Sequence, residues 1–140
     1  MDIGPVELVV LSFPGEQADS GVVEAVMDVV SKGYVTILDM TFVSRLQDGQ
    51  IRIVDIDDDL DPTGLSPLRV EGRALLNDED VGVIGESLLP GTSAAVIVYE
   101  ESWARQVAAA VRDAGGEVEL HLQLPRDTVE AAVVAAELTS

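Results

Sequence analysis

The stretch that most constrains the fold is VELVVLSF, Val6–Phe13, a run of strand length broken only by Glu7 and Ser12. A strand this apolar has no face suited to water, so it reads as a central strand buried on both sides. A second run of the same kind, SAAVIVYE, spans Ser93–Glu100. Whatever the chain builds must place layers above and below these two runs.

The segments between them supply those layers. From Gly21 to Lys32, Val22, Val26, Val29 and Val30 recur at helical spacing opposite Glu24, Asp28 and Lys32. Asp19 or Ser20 can cap that helix and Gly33 can end it. Tyr34–Val43 is a second strand, with Leu38, Met40 and Phe42 on one face and Asp39 and Thr41 on the other, beside Val35 and Ile37. Asp48-Gly49 marks a tight hairpin into a third strand, Ile51–Ile56. Residues 57–75 contain Pro62, Gly64, Pro67 and Gly72, which limit them to a loop with one short turn.

Asn77, followed by Asp78-Glu79-Asp80, is a helix start, and Val81, Ile84 and Leu88 continue it to Pro90-Gly91. Ser102 caps a further helix carrying Trp103, Val107, Ala110, Val111 and Ala114, closed at Gly115-Gly116. Glu117–Leu124 alternates strictly, with Val118, Leu120, Leu122 and Leu124 on one face and Glu117, Glu119, His121 and Gln123 on the other. Such a strand is half solvated, the signature of an edge. Asp127 and Glu130 have capping-box spacing for a last helix through Val129, Val133 and Ala136.

The order β-α-β-β-loop-α-β-α-β-α contains two split β-α-β units, 6–43 and 93–124. Interleaved, they predict one α+β domain over 1–140: a ferredoxin-like sandwich with an added edge hairpin strand and extra helices, about five strands and four helices in all. In that arrangement 6–13 and 93–100 are central, 117–124 is one edge and 51–56 the other. Two helices cover one sheet face. The other is left to the helices at 77–89 and 127–138 or to a second copy, because a large apolar patch is rarely left unused. Self-association is therefore expected.

Composition narrows the function by exclusion. At 140 residues the chain fits one domain, and 47% apolar content excludes disorder. No apolar run reaches the roughly 18 residues of a membrane span, and the N-terminus lacks the basic region of a signal peptide. With no cysteine there are no disulfides, zinc–thiolate sites or thiol nucleophiles. Twenty-six acids against eight bases give a net charge of −18, which repels nucleic acid and anionic membrane surfaces. A soluble cytoplasmic protein is the expectation.

Candidate chemistry is sparse. Five aspartates fall in the seven positions Asp55–Asp61, and Asp55, Asp57 and Asp59 have the spacing of the first ligands of a calcium loop. Position six of such a loop is Leu60 where glycine belongs, and position twelve is Ser66 where glutamate belongs. The cluster thus reads as an acidic strand end that discourages edge-to-edge pairing, with weak cation attraction at most and no metal ligand assigned.

His121, the single histidine, has Glu119 and Gln123 on its strand face, which leaves a general base conceivable but reads as an exposed strand residue. Trp103, with Tyr99 and Glu100-Glu101, marks a strand-to-helix turn, and its apolar area reads as pinning the helix to the core. No phosphate loop, dinucleotide fingerprint or nucleophile elbow is present. No catalytic residue, cofactor or metal is assigned.

GPVELVVLSFPG (4–15), LLPGTSAAVIVYEESWA (88–104) and VRDAGGEVELHLQLP (111–125) resemble a family of small acidic bacterial proteins, mostly actinobacterial, known as a domain of unknown function. More distantly the chain is similar to stress-associated α/β proteins interrupted by a membrane-active hairpin, absent here. The resemblance implies an α/β fold, a soluble cytoplasmic life and a stress-related setting, and brings no catalytic residues. The expectation is a non-enzymatic assembly module that self-associates, its protein partner otherwise unknown. The alternatives are a small-ligand-binding or cofactor-free enzyme of the dimeric ferredoxin-like type, and a divalent-cation-responsive protein using 55–61.

Overall fold

The computed structural model describes residues 3–72 and 74–139, and among these it has four strands and four α-helices. In chain order they are β1 (Val6–Pro14), α1 (Ser20–Ser31), β2 (Thr36–Arg45), β3 (Ile51–Asp55), α2 (Asp78–Ser87), β4 (Thr92–Glu100), α3 (Ser102–Asp113) and α4 (Arg126–Thr139). A single 3-10 turn, Asp61–Thr63, interrupts the loop between β3 and α2. The chain divides into two compact units, Met1–Val107 and Ala108–Ser140.

The local signals explain most of these boundaries. The Asp19 carboxylate accepts from Val22 N at 3.2 Å and starts α1, and Gly33 follows its end at φ +76°. Asn77 Oδ1 accepts from Asp80 N at 2.8 Å and starts α2. In the β2–β3 hairpin, Leu46 N donates to Gln50 O, and Gly49 takes the left-handed φ of +88° the turn requires.

The strands form one antiparallel sheet in the order β1-β4-β2-β3. The α1 face buries Phe13, Ile37, Met40, Phe42, Ala95 and Ile97 with Val23 of the helix, and Leu65 and Leu68 of the loop. The opposite face buries Val43, Ala94 and Val96 against Val81 of α2, flanked by Ile51, Ile53 and Ile84. The approach of α2 is close because Gly85 has no side chain. A Cβ there would stand 2.8 Å from Ile51 Cγ2 and 2.9 Å from Val43 Cγ2.

Several expectations need correction. Residues 117–124 form no strand, so the described sheet has four strands and β1 is an edge, with β4 and β2 central. Alternation marks a half-solvated face but supplies no strand partner by itself. The register of β2 shifts between Ile37 and Asp39. This bulge brings Ile37 onto the same face as Met40 and Phe42, where strict alternation had separated them. Finally, α2 covers part of the second face, whereas α4 has no buried side chain among its described residues.

The bulge is held by a buried acid. One Asp39 oxygen accepts from Met40 N at 2.8 Å, and the other accepts from Leu75 N and Leu76 N at 2.9 and 2.8 Å. Asp39 is 6% exposed, so the carboxylate fastens the chain leading into α2 to the sheet by charge-assisted bonds. Beside it, Val70 bridges Ile37 in parallel and Glu71 N donates to Ile37 O. The loop thus continues the β2 edge where β3 ends.

Candidate functional site

Among the described strands, the edge strand β1 carries an exposed apolar row. Its pairing with β4 uses one edge, from Val6 opposite Glu100 to Pro14 opposite Thr92, and no described strand lies along the other. Alternate residues therefore direct backbone N–H and C=O groups outward, the arrangement that accepts an added strand. On one face of β1, Val6, Leu8 and Val10 are 47%, 53% and 42% exposed. On the other face, Val9 and Leu11 are half-buried at the floor of a cleft.

That cleft has a volume of about 580 Å³ and runs between the sheet and α1. Val9 and Leu11 of β1, Val22, Val26 and Val29 of α1, and Tyr99 of β4 set its character, which is almost wholly apolar. Asp19 and Tyr99 are the lining residues with polar side chains, and the Tyr99 hydroxyl donates to Glu7 Oε2 at 3.1 Å. Desolvation raises the Tyr99 phenol above its ordinary value of 10.0, helped by the hydrogen bond to Glu7 and the negative charges of Glu7 and Glu101. The phenol's one hydrogen is thus already engaged by Glu7.

Next to the cleft, Glu100 is buried and ties three segments together. Its carboxylate accepts from Gly4 N at 2.8 Å and from Ser102 Oγ at 3.0 Å, and it lies 3.2 Å from Arg105 Nε. The Arg105 contact is an ion pair out of line for a hydrogen bond. Ser102 Oγ also lies 2.6 Å from Thr36 Oγ1. At 2% exposure Ser102 cannot meet a substrate, so the cluster is an anchor for the start of α3. A second, polar concavity of about 840 Å³ lies by the β1–α1 loop, with Glu16, Asp19, Ser44 and Arg52 on its walls.

The residues singled out in the sequence do not converge. Asp55 Oδ1 accepts from Thr41 Oγ1, Asp58 Oδ2 accepts from Asp55 N, and Asp59 Oδ1 accepts from Asp61 N. These carboxylates shape the exit from β3, and Leu60 between them packs against the core. Among the described residues no group of three acids, histidines or cysteines could hold a metal. His121 is exposed in the second unit. Trp103 does not pin α3 as expected: its side chain is 46% exposed, and Val107 one turn on is exposed too. The helix is instead fastened at its start by Glu100, Ser102 and the bond from Trp103 N to Tyr34 O.

The second unit is the larger surprise. Every described residue from Arg112 to Leu138 is exposed, including Val118, Leu120, Leu122, Leu124, Val129, Val133, Val134 and Leu138. Apolar composition alone gave no sign of this, since the same alternation serves a paired strand. The Glu7–Tyr99 pair joins residues 92 positions apart, and no local signal in the sequence marks it.

Fold and surface together define a four-stranded antiparallel α+β domain with an open sheet edge and no helix among the described residues long and apolar enough to cross a membrane. The chain belongs to the family described as a family of unknown function, DUF6325, whose model matches residues 2–140. No curated protein and no solved structure matches it.

Proposed function

We propose that the protein is a non-enzymatic, soluble assembly module that self-associates. One observation carries this reading: the chain leaves apolar rows exposed both on the edge strand β1 and throughout Arg112–Leu138. A 14-residue helix such as α4 is marginal in water on its own, and an exposed apolar row adds nothing to its stability. Burial against a second copy would cover these rows.

The finer fold belongs to the same proposal. The order β1-β4-β2, with β4 inserted between two parallel strands, is that of three strands in a ferredoxin-like sandwich. A strand outside β1 would complete it as one domain. The resemblance adds a cytoplasmic, stress-related setting, and the charge of −18 disfavours nucleic acid. Light scattering at micromolar concentration is expected to give a multiple of the chain mass; a monomeric mass there defeats the proposal.

A second reading, ligand binding or cofactor-free catalysis by a dimeric ferredoxin-like protein, is favoured by the apolar cleft with Tyr99 on its wall. It requires saturable uptake of a fluorescent fatty acid that is lost on filling the cleft with Val26→Trp. Absence of uptake disposes of it.

A further inference from the structure

We propose that the polar concavity by the β1–α1 loop binds a small zwitterion, a free amino acid or short peptide with apolar side chains. Its carboxylate meets Arg52 and Ser44, and its ammonium group meets Glu16 and Asp19. Such binding is independent of self-association. Every residue lining the concavity belongs to the first unit, Met1–Val107, and of these Asp19 alone also lines the apolar cleft.

The floor follows one row across the sheet. Phe13 stands opposite Ser93, Ser93 opposite Ser44, and Ser44 opposite Arg52, so all four share a face. It is the face beneath α1, where Phe42 and Val54, two residues from Ser44 and Arg52, pack. Ser44 is 5% exposed, and among the described residues its hydroxyl has no hydrogen-bond partner. The Oγ of neighbouring Ser93 is unpartnered too, so the two hydroxyls do not satisfy each other. Buried polar groups are almost always paired, and a ligand oxygen in the concavity gives Ser44 its partner. The walls are set by the chain itself. Gly15 N donates to Gly91 O and Ala18 N to Thr63 O, both at 2.9 Å, which holds the β1–α1 loop in place.

Charge selects the ligand. The chain carries a net charge of −18, yet among the described residues Arg52 makes no ion pair. Glu16 is likewise unpaired, and Asp19 uses Oδ2 to cap α1 while Oδ1 has no described partner. One cation and two acids thus line a single volume without neutralising one another. A simple anion would meet the acids and a simple cation the guanidinium, whereas a molecule bearing both charges suits all three. A guanidinium can hold a carboxylate through two parallel hydrogen bonds. Phe13, Pro14 and Pro62 offer apolar contact to the ligand's side chains. The volume of about 840 Å³ falls in the usual range of small-molecule sites.

Heteronuclear magnetic resonance on the isotopically labelled full chain tests this, with L-phenylalanine and the dipeptide Leu-Phe titrated to millimolar concentration. Saturable shifts at Arg52 Nε–H and at the amides of Ser44 and Gln17 are expected. N-acetyl-Leu-Phe and Leu-Phe amide each lack one charge and should bind about tenfold more weakly or worse. Arg52→Gln should weaken Leu-Phe by a similar factor and leave the ligand-free melting temperature unchanged, because Arg52 is exposed. Ser44→Ala removes one oxygen from the floor and should weaken it severalfold. Absence of shifts with both probes overturns the proposal. Equal affinity for the blocked peptides, or for both variants, overturns the assigned contacts, and shifts centred on Val22, Val26 and Tyr99 place the ligand in the apolar cleft instead.

Discussion

The centre of the sheet and the C-terminal stretch Arg112–Leu138 are written in the same apolar residues, yet one is buried and the other exposed. In β2 and β4 nearly every side chain is buried, and Val43, Ala94 and Val96 are sealed between α2 and the strands. From Arg112 to Leu138 no described residue is buried, although valine and leucine recur at strand and helix spacing. The difference shows that an apolar pattern states a demand for a partner surface. Whether that demand is met within the chain depends on strand neighbours.

The sharpest way to break this contrast is one truncation in each region. Phe42→Ala, at 1% exposure, is expected to cost about 3–5 kcal/mol in urea unfolding. Leu120→Ala should stay within about 0.5 kcal/mol when measured on monomer at high dilution. An equal loss at both positions would show that Leu120 is buried in the single chain, and the contrast would fail.

Next comes the buried acid of the central region. Asp39→Ala strands the amides of Met40, Leu75 and Leu76, for an expected loss of at least about 2 kcal/mol in the same assay. A loss below about 0.5 kcal/mol would mean the loop before α2 is satisfied by water instead. Smaller again is Asn77→Ala, which removes the acceptor for Asp80 N and should cost about 1 kcal/mol.

The smallest effect is a pH dependence at the border of the two regimes. The Tyr99 phenol is raised in the folded protein, so folding favours its neutral form. That contribution is fully present below the ordinary value of 10.0 and is lost as pH rises through the folded value. Tyr99→Phe should flatten the alkaline fall in melting temperature. An unchanged alkaline limb would show that the hydroxyl is free of the Glu7 bond.

Much of the fold was legible because its signals are local. Asp19 and Asn77 announce their helices through side-chain caps, and Asp48-Gly49 announces the hairpin, all with partners within three residues. The β2 bulge was not legible. One extra residue shifts every later side chain to the other face, and its cause, the Asp39 contacts with residues 75 and 76, lies far along the chain. For the candidate site the balance is similar. The aspartates of 55–61 were readable as a strand end, while the cleft, the Glu7–Tyr99 bond and the exposure of Trp103 depend on which elements meet.

By itself the sequence determined the positions of the helices and of four strands, the apolar character of β1 on both faces, and the alternation of 117–124. It also ruled out thiol chemistry, since the chain has no cysteine. Only the tertiary structure decided that β4 and β2 are central, that β1 is an edge of the described four-stranded sheet, and that 117–124 is not one of its strands. The physical reason is that caps and periodicities are satisfied by atoms a few residues away. Strand order is settled by which apolar faces bury most together, and that competition runs across the whole chain and across any second copy it meets.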